Sequence, residues 1–213
     1  MCVEERQQES IFSLLSLHGI CYTVPMKQLF AIHPGEYLVG LHIQKNPKLK
    51  KLNVWIPAKD TGIDFLVTDS TNLHAVSLQV KYGKDFLPEK EAKLRRLLRC
   101  YSWFTLNKTK LDKSHAQFWV FVLRGFESTK PDFVVIPKAE LQRRMKKIHG
   151  SDRGTLQIYL CSTKKNRCWE TRVRGEDKVV HQIAEGTYED PIRDFTKYLN
   201  ENGWAAVVNK LKI

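Results

Sequence analysis

The sequence GIDFLVTDSTNLHAVSLQVK, residues 62–81, decides the predicted fold of this chain. Residues 63–68 and 73–81 are rich in the apolar and β-branched residues that favour strands. The residues between these two runs are turn formers, so the pattern predicts an antiparallel hairpin. Side chains alternate between the two faces of a strand, which places Gln79 and Lys81 on the same face.

The hairpin predicts that three chemically useful side chains converge. Asp64 starts the first predicted strand, while Gln79 and Lys81 end the second. In a hairpin these two ends are neighbours, so we expect the three side chains to lie close together. A carboxylate and an amide oxygen can hold a hard divalent cation, and a lysine beside them can position or activate an attacking water.

Patterns on both sides of the hairpin predict helices around a buried sheet. With 213 residues, of which 42% are hydrophobic, the chain is long enough for one sizeable domain. We expect an α/β domain over residues 1–213, with a core over 1–140 and a basic C-terminal extension over 141–213 that packs on it. The further predicted elements are a helix over 4–17, a strand over 37–44, a helix over 87–100, strands over 117–123 and 132–137, a helix over 139–149, a strand over 155–162 and a helix over 191–202.

The charge of the chain favours a polyanionic partner. It carries 35 Lys and Arg residues against 23 Asp and Glu, a net charge of +12. This excess suits nucleic acid first and an anionic membrane surface second. No apolar run approaches the roughly 20 residues that span a bilayer, so we predict no membrane partner. The acidic N-terminus, unlike a signal peptide, and the 5 cysteines without a C-x-x-C pair favour a reducing cytoplasm.

Three basic segments are predicted to contact a nucleic-acid backbone, because lysine and arginine neutralise phosphates. They are a loop over 45–51, the helix over 139–149 and a segment over 164–174. Trp169, between Arg167 and Arg172, is predicted to stack on a base. The predicted contacts are Lys45, Lys48, Lys50, Lys51, Arg143, Arg144, Lys146, Lys147, Lys164, Lys165, Arg167, Trp169 and Arg172.

The order of these motifs resembles the PD-(D/E)xK nuclease superfamily, which includes type II restriction endonucleases and archaeal Holliday-junction resolvases. The resemblance rests on Gly62-Ile63-Asp64 followed by Gln79-Val80-Lys81, with the FWVFV and FVVIP strands after them and a glutamate-bearing helix before. It implies a restriction endonuclease-like core, a central mixed β-sheet flanked by helices, over roughly residues 1–140. Ile63 replaces the usual proline, and Gln79 replaces the usual acid, which makes the motif a Q-x-K variant.

The resemblance also implies roles for four residues. Asp64 and Gln79 match the two metal-binding positions, and Lys81 matches the lysine near the scissile phosphate. Glu9 matches the helix acid that some members add to the metal site, with Glu4 and Glu5 as nearby competitors. The implied cofactor is Mg²⁺, and the amide at Gln79 removes one negative charge from its shell, so Glu9 gains importance.

These implications predict a Mg²⁺-dependent DNA endonuclease of the kind found in restriction or phage-defence systems. DNA is favoured over RNA, and a homodimer is expected because two strands need two sites. Two alternatives stay open. One is a nucleic-acid-binding protein whose nuclease fold lost turnover with Gln79. The other is a structure-specific nuclease that acts on RNA or on DNA junctions.

Overall fold

The computed structural model describes residues 32–58, 61–85, 92–126, 130–151, 153–172 and 176–212. The helix predicted over 4–17 lies outside these ranges, and so does Glu9. The elements, in chain order, are α1 Pro34–Lys45, β1 Asn53–Trp55, β2 Phe65–Thr68, β3 Ala75–Tyr82, β4 Lys84–Asp85, α2 Ala92–Leu97, β5 Leu98–Asn107, α3 Lys108–Lys113, β6 Phe118–Leu123, β7 Asp132–Pro137, α4 Lys138–His149, β8 Thr155–Thr163, β9 Cys168–Glu170, α5 Glu176–Glu185, a 3₁₀ helix Thr196–Tyr198, and α6 Asn200–Lys210.

The first sheet is mixed, with strand order β1-β2-β3-β6-β7. The predicted hairpin is confirmed as the antiparallel pair of β2 and β3. β3 then pairs in parallel with β6, so that Gln79 lies opposite Trp119, and β6 pairs antiparallel with β7. The strands predicted over 117–123 and 132–137 are therefore confirmed, as is an α/β fold with a mixed central sheet flanked by helices.

A second sheet, which the sequence patterns do not predict as a separate unit, has the order β4-β5-β8-β9 and is antiparallel throughout. It packs on the β6 and β7 part of the first sheet, where the rings of Phe104 and Phe121 lie 4.9 Å apart between centroids. Helix α4 adds Leu141 and Met145 to this core. α2 and α5 cover the far side of the second sheet.

The opposite face of the first sheet is covered by α1 and α6. Val39 and Ile43 of α1 and Trp204 and Val207 of α6 are buried there against strand residues such as Val120. Residues 141–213 therefore contribute to both cores, since they supply β8, β9 and α6. No helix in the described ranges is long and apolar enough to cross a membrane.

The strand predicted over 37–44 is wrong, because this segment is the helix α1. The apolar residues of this segment occur in strands and in helices alike. Val39 and Ile43, however, are four positions apart, a helical spacing that lets both face β3. The helix starts at Pro34, where a missing N–H is tolerated. Gly35 allows it to lie directly on β3, since a Cβ there would come within 2.9 Å of the Tyr82 Cβ.

Two predicted helices have different bounds. The one predicted over 87–100 is described only at Ala92–Leu97, and the chain continues as β5. β5 pairs with β8 from Leu98 to Asn107, a distant pairing that overrides local helix propensity. The closing helix predicted over 191–202 begins at Asn200 instead, after a turn in which the Asp190 carboxylate accepts a hydrogen bond from the Ile192 N–H. The helix predicted over 139–149 and the strand over 155–162 are confirmed, whereas α5 was not predicted.

Candidate active site

Asp64 lies just before β2 and is held against the end of β3. Its backbone N–H donates to the carbonyl of Leu78 at 2.8 Å, which extends the hairpin ladder by one residue. Its carboxylate oxygen Oδ2 accepts hydrogen bonds from Gln79 Nε2 at 2.8 Å and from the Val80 N–H at 2.5 Å. Both bonds use Oδ2, so Oδ1 receives none from the described residues. The approach of Asp64 to Gln79 expected from the hairpin is thus present, with one carboxylate oxygen left to bind something else.

Gln79 has the role of a hydrogen-bond donor in this arrangement. The side chain is 9% exposed, with its amide nitrogen turned to Asp64. Its oxygen Oε1 faces Gly62, where a Cβ would lie 3.5 Å away and where φ is +73°, a conformation that favours glycine. A glutamate at position 79 would have no N–H to donate to Asp64, and it would place a second negative charge beside that carboxylate. The amide therefore positions Asp64. Because its nitrogen and not its oxygen faces the carboxylate, this orientation does not support the metal-ligand role predicted for Gln79.

Lys81 projects from the same face of β3 as Gln79. Its ammonium lies over the ring of Trp119, 5.6 Å from the centroid. Trp119 itself is 2% exposed and lies on the neighbouring strand β6, opposite Gln79. This cation–π contact keeps the half-buried lysine at the end of the hairpin, on the side where Asp64 lies.

Glu36, which was not predicted from the sequence patterns, lies near enough to this group for the charges of Asp64 and Lys81 to affect its pKa. It lies in the first turn of α1, and its Oε2 accepts a hydrogen bond from the backbone N–H of His33 at 3.1 Å. Burial raises its pKa above the usual value, and the charge of Asp64 adds to this rise, whereas the His33 hydrogen bond and the charge of Lys81 oppose it. The three charged groups are thus close enough to influence one another.

A signal for Glu36 exists in the sequence. A proline followed two residues later by a glutamate is typical of a helix start, because the acid can accept a hydrogen bond from the cap residue. The wrong strand assignment over 37–44 hid this signal. The alternative role of Glu36 is capping α1, and the observed bond to His33 already serves that role.

The oxygen donors at this site suit a hard cation. Asp64 Oδ1 and the Glu36 carboxylate are the acidic donors, and Mg²⁺ is commonly bound by one or two carboxylates together with waters and substrate phosphates. Within the described ranges, no group of three or more His, Cys, Asp or Glu side chains could hold a metal ion. Two carboxylates at most from the described residues would leave the greater part of a cation's shell to water and phosphate.

Asp64 and Lys81 are partly exposed at the surface, beside the buried Gln79. Surface cavities of about 200 and 450 Å³ lie elsewhere, around α3, α4 and the segment 114–118.

The lysines and arginines predicted to contact phosphates differ in exposure and in whether they already form an ion pair. Exposed lysines without an ion pair among the described contacts are Lys45, Lys50, Lys51, Lys146, Lys147, Lys164 and Lys165. Lys48 and Arg143 are also exposed, but Lys48 pairs with Glu201 and Arg143 with Glu140. Arg167 is half-buried, and so is Arg172, which lies over the ring of Tyr159.

Two of these predictions require correction. Arg144 is only 5% exposed, and its guanidinium donates to Glu140 and to the carbonyls of Ile192 and Asp194, so it holds the chain together. Trp169 is 3% exposed, because α5 and the ring of Tyr188 pack against it, and it is not available to stack on a base. Its neighbour Arg167 covers the ring at 4.9 Å.

Comparison of the chain with protein-family models, with curated proteins and with solved structures gives no match. The function is therefore inferred from the geometry of Asp64, Gln79, Lys81 and Glu36 and from the charge of the chain.

Proposed function

We propose that this protein is a Mg²⁺-dependent endonuclease that hydrolyses phosphodiester bonds in DNA, built on a restriction endonuclease-like core. The observation that carries the proposal is the hydrogen bond from Gln79 to Asp64 across the β2–β3 hairpin, on the face of β3 from which Lys81 also projects. A carboxylate and a lysine on one strand face of a basic protein suit attack on a phosphate diester.

Each residue would have a distinct role. Asp64 and Glu36 would hold Mg²⁺, which when bound polarises the phosphate and lowers the pKa of a coordinated water. Gln79 fixes the Asp64 carboxylate through Oδ2, which would leave Oδ1 for the cation. Lys81 offers a positive charge for the charge that develops on the phosphate, and Trp119 keeps it in place.

Substrate affinity would come from the exposed lysines. A net charge of +12 suits a polyanion, and each phosphate neutralised adds salt-dependent affinity. Cleavage of both strands of a duplex would need two copies of the site, for which a homodimer is the simplest arrangement.

The direct test is cleavage of plasmid DNA with and without Mg²⁺. We expect nicking or linearisation only with the metal, and a loss of at least 100-fold in rate for Asp64→Ala and for Lys81→Ala. Lys110→Ala is the matched control, because Lys110 is exposed and lies on α3, outside this site. No cleavage with any divalent metal, or equal rates for Lys81→Ala and the wild type, would refute the proposal.

A second candidate is a protein that binds DNA without cutting it. It is favoured by Gln79, because an amide in place of an acid leaves fewer charges to hold a metal. Such a protein would retard DNA in a gel with a steep dependence on salt and leave it intact. The plasmid assay separates the two candidates.

A further inference from the structure

The outer face of β1, β2 and β3 carries an exposed apolar surface beside the candidate active site. Trp55 pairs with Leu66, and Leu66 pairs with Ser77, so all three share one face. The register places Asp64 and Gln79 on this face too, because each lies two residues from the Leu66–Ser77 pair. Trp55 is 52% exposed and Leu66 is 37% exposed.

The indole of Trp55 is held in one orientation. Its Nε1 donates a hydrogen bond to Thr68 Oγ1 at 3.1 Å, and the Thr68 hydroxyl donates to Asn72 Oδ1 at 2.6 Å. The ring is therefore tied at its edge to the start of the hairpin turn. A large aromatic ring that is fixed yet half-exposed loses little side-chain entropy when a flat partner covers it.

Trp55 lies close to Asp64 along the sheet. It pairs with Leu66 on the neighbouring strand, and Leu66 is two residues after Asp64. Strand geometry then gives a distance of roughly 8 Å between the backbones of Trp55 and Asp64. This is comparable to the distance between neighbouring nucleotides in an extended single strand. A base over Trp55 would therefore belong to a nucleotide next to the phosphate at Asp64 and Lys81.

The lysines near Trp55 indicate which kind of partner this surface fits. Lys81 projects from the same side of β3 as Gln79, and the exposed Lys50 and Lys51 lie in the turn before β1, separated from it by Leu52. A flat apolar ring beside positive charges complements a nucleobase joined to a phosphate better than it complements an apolar protein surface. A base within a duplex is covered on both sides, so only an unpaired base presents its face.

We propose that Trp55 and Leu66 form a stacking surface for an unpaired nucleobase, so that the preferred substrate is nucleic acid with a single-stranded stretch next to the cleaved phosphate. This inference rests on the proposed function for its position beside a cleavage site, but the binding it predicts does not require catalysis. Flaps, overhangs and branched junctions all offer such a stretch.

The test is oligonucleotide binding in EDTA, measured by fluorescence anisotropy with a single strand and a blunt duplex of the same sequence. We expect Trp55→Ala to weaken single-strand binding about tenfold and duplex binding less than twofold, while Trp55→Phe keeps most of the affinity. Leu73→Ala is the matched control, since Leu73 is 80% exposed but lies in the turn between β2 and β3. Circular dichroism melts establish that each variant is folded.

Several outcomes would overturn the inference. Unchanged single-strand binding by Trp55→Ala would do so, even if plasmid cleavage proceeds and the nuclease proposal stands. An equal loss for single strand and duplex, or no oligonucleotide binding by the wild type, would do so as well. If Trp55→Ala instead separates a dimer in light scattering with single-strand affinity unchanged, this face is a subunit interface. Conversely, selective loss of single-strand binding in a protein that cleaves nothing would support the stacking surface and refute the nuclease.

Discussion

Gln79 donates a hydrogen bond of 2.8 Å to Oδ2 of Asp64 across the β2–β3 hairpin, and this one contact joins the two parts of the candidate motif. The Val80 N–H donates to the same oxygen, so the carboxylate has a backbone and a side-chain donor. Two donors hold this carboxylate in place without an ion pair to a lysine or an arginine. Lys81 thus remains available for a ligand, within the arrangement that Trp119 imposes.

Gln79→Glu should destabilise the protein without metal and make it more responsive to Mg²⁺. The change replaces a donor by a second carboxylate at hydrogen-bond distance from Asp64, which costs about 1–3 kcal/mol at neutral pH. Urea denaturation with and without Mg²⁺ measures the effect, and the metal should restore more stability to the variant than to the wild type. Gln142→Glu is the control, because Gln142 also donates to an aspartate, Asp112, but on the exposed surface of α4. Equal Mg²⁺ responses of Gln79→Glu and the wild type would argue against a cation at this site.

Glu36→Gln should raise stability at neutral pH and change it little near pH 4. Since the pKa of Glu36 is raised in the folded state, the folded protein binds this proton more tightly than the unfolded chain does. Stability from Glu36 is therefore fully present below the unfolded pKa of 4.5 and is lost as the pH rises through the higher folded value. A glutamine carries no charge and avoids this loss.

Thermal melts between pH 4 and pH 8 would follow this difference. Glu201→Gln is the control of opposite sign, because Lys48 lowers the pKa of Glu201 and the stability it contributes is present at neutral pH and lost as the pH falls. If the two variants show the same pH trend, Glu36 is not buried in the way described.

Gly35→Ala should destabilise the protein and reduce cleavage together. The added methyl would lie 2.9 Å from the Tyr82 Cβ, so α1 must move away from β3 and take Glu36 with it. Overpacking of this kind costs about 1–3 kcal/mol. Gly40→Ala lies on the same helix with no atom within 4 Å of the new methyl, and should stabilise the helix by up to about 1 kcal/mol. Chemical denaturation of both variants gives the comparison, and equal effects would contradict the close contact between α1 and β3.

Arg144→Ala and Lys147→Ala should separate stability from binding. Loss of Arg144 removes a donor from the carbonyls of Ile192 and Asp194 and one of the donors to the Glu140 carboxylate, which keeps Arg143 and Tyr198. Buried carbonyls left without a donor should lower the unfolding free energy by about 1–3 kcal/mol. Lys147 is exposed, so its loss should leave the unfolding free energy nearly unchanged. If Lys147 contacts a phosphate, the slope of log K against log salt should fall by about one. A large destabilisation by Lys147→Ala, or none by Arg144→Ala, would reverse these assignments.

The sequence predicts best what depends on neighbouring residues. The hairpin, β6, β7, α4 and β8 follow from apolar periodicity and turn residues, and the hairpin alone brings Asp64 to Gln79. β5 escaped prediction because its partner β8 lies far along the chain. Glu36 escaped because its position depends on how closely Gly35 lets α1 approach β3. Trp169 was misassigned for a similar reason, since α5 and Tyr188 bury it through contacts that no local pattern reveals.

The route of the chain between β3 and β6 has a consequence for synthesis. These two parallel neighbours are separated by β4, α2, β5 and α3, and β5 finds its main partner only at β8. While the ribosome is still making residues before Thr155, β5 has an open edge and the buried side of β6 lacks part of its cover. Trp204 and Val207, which pack beneath the first sheet, emerge later still. We therefore expect a nascent chain to acquire its native core only near termination, and to need protection from aggregation until then.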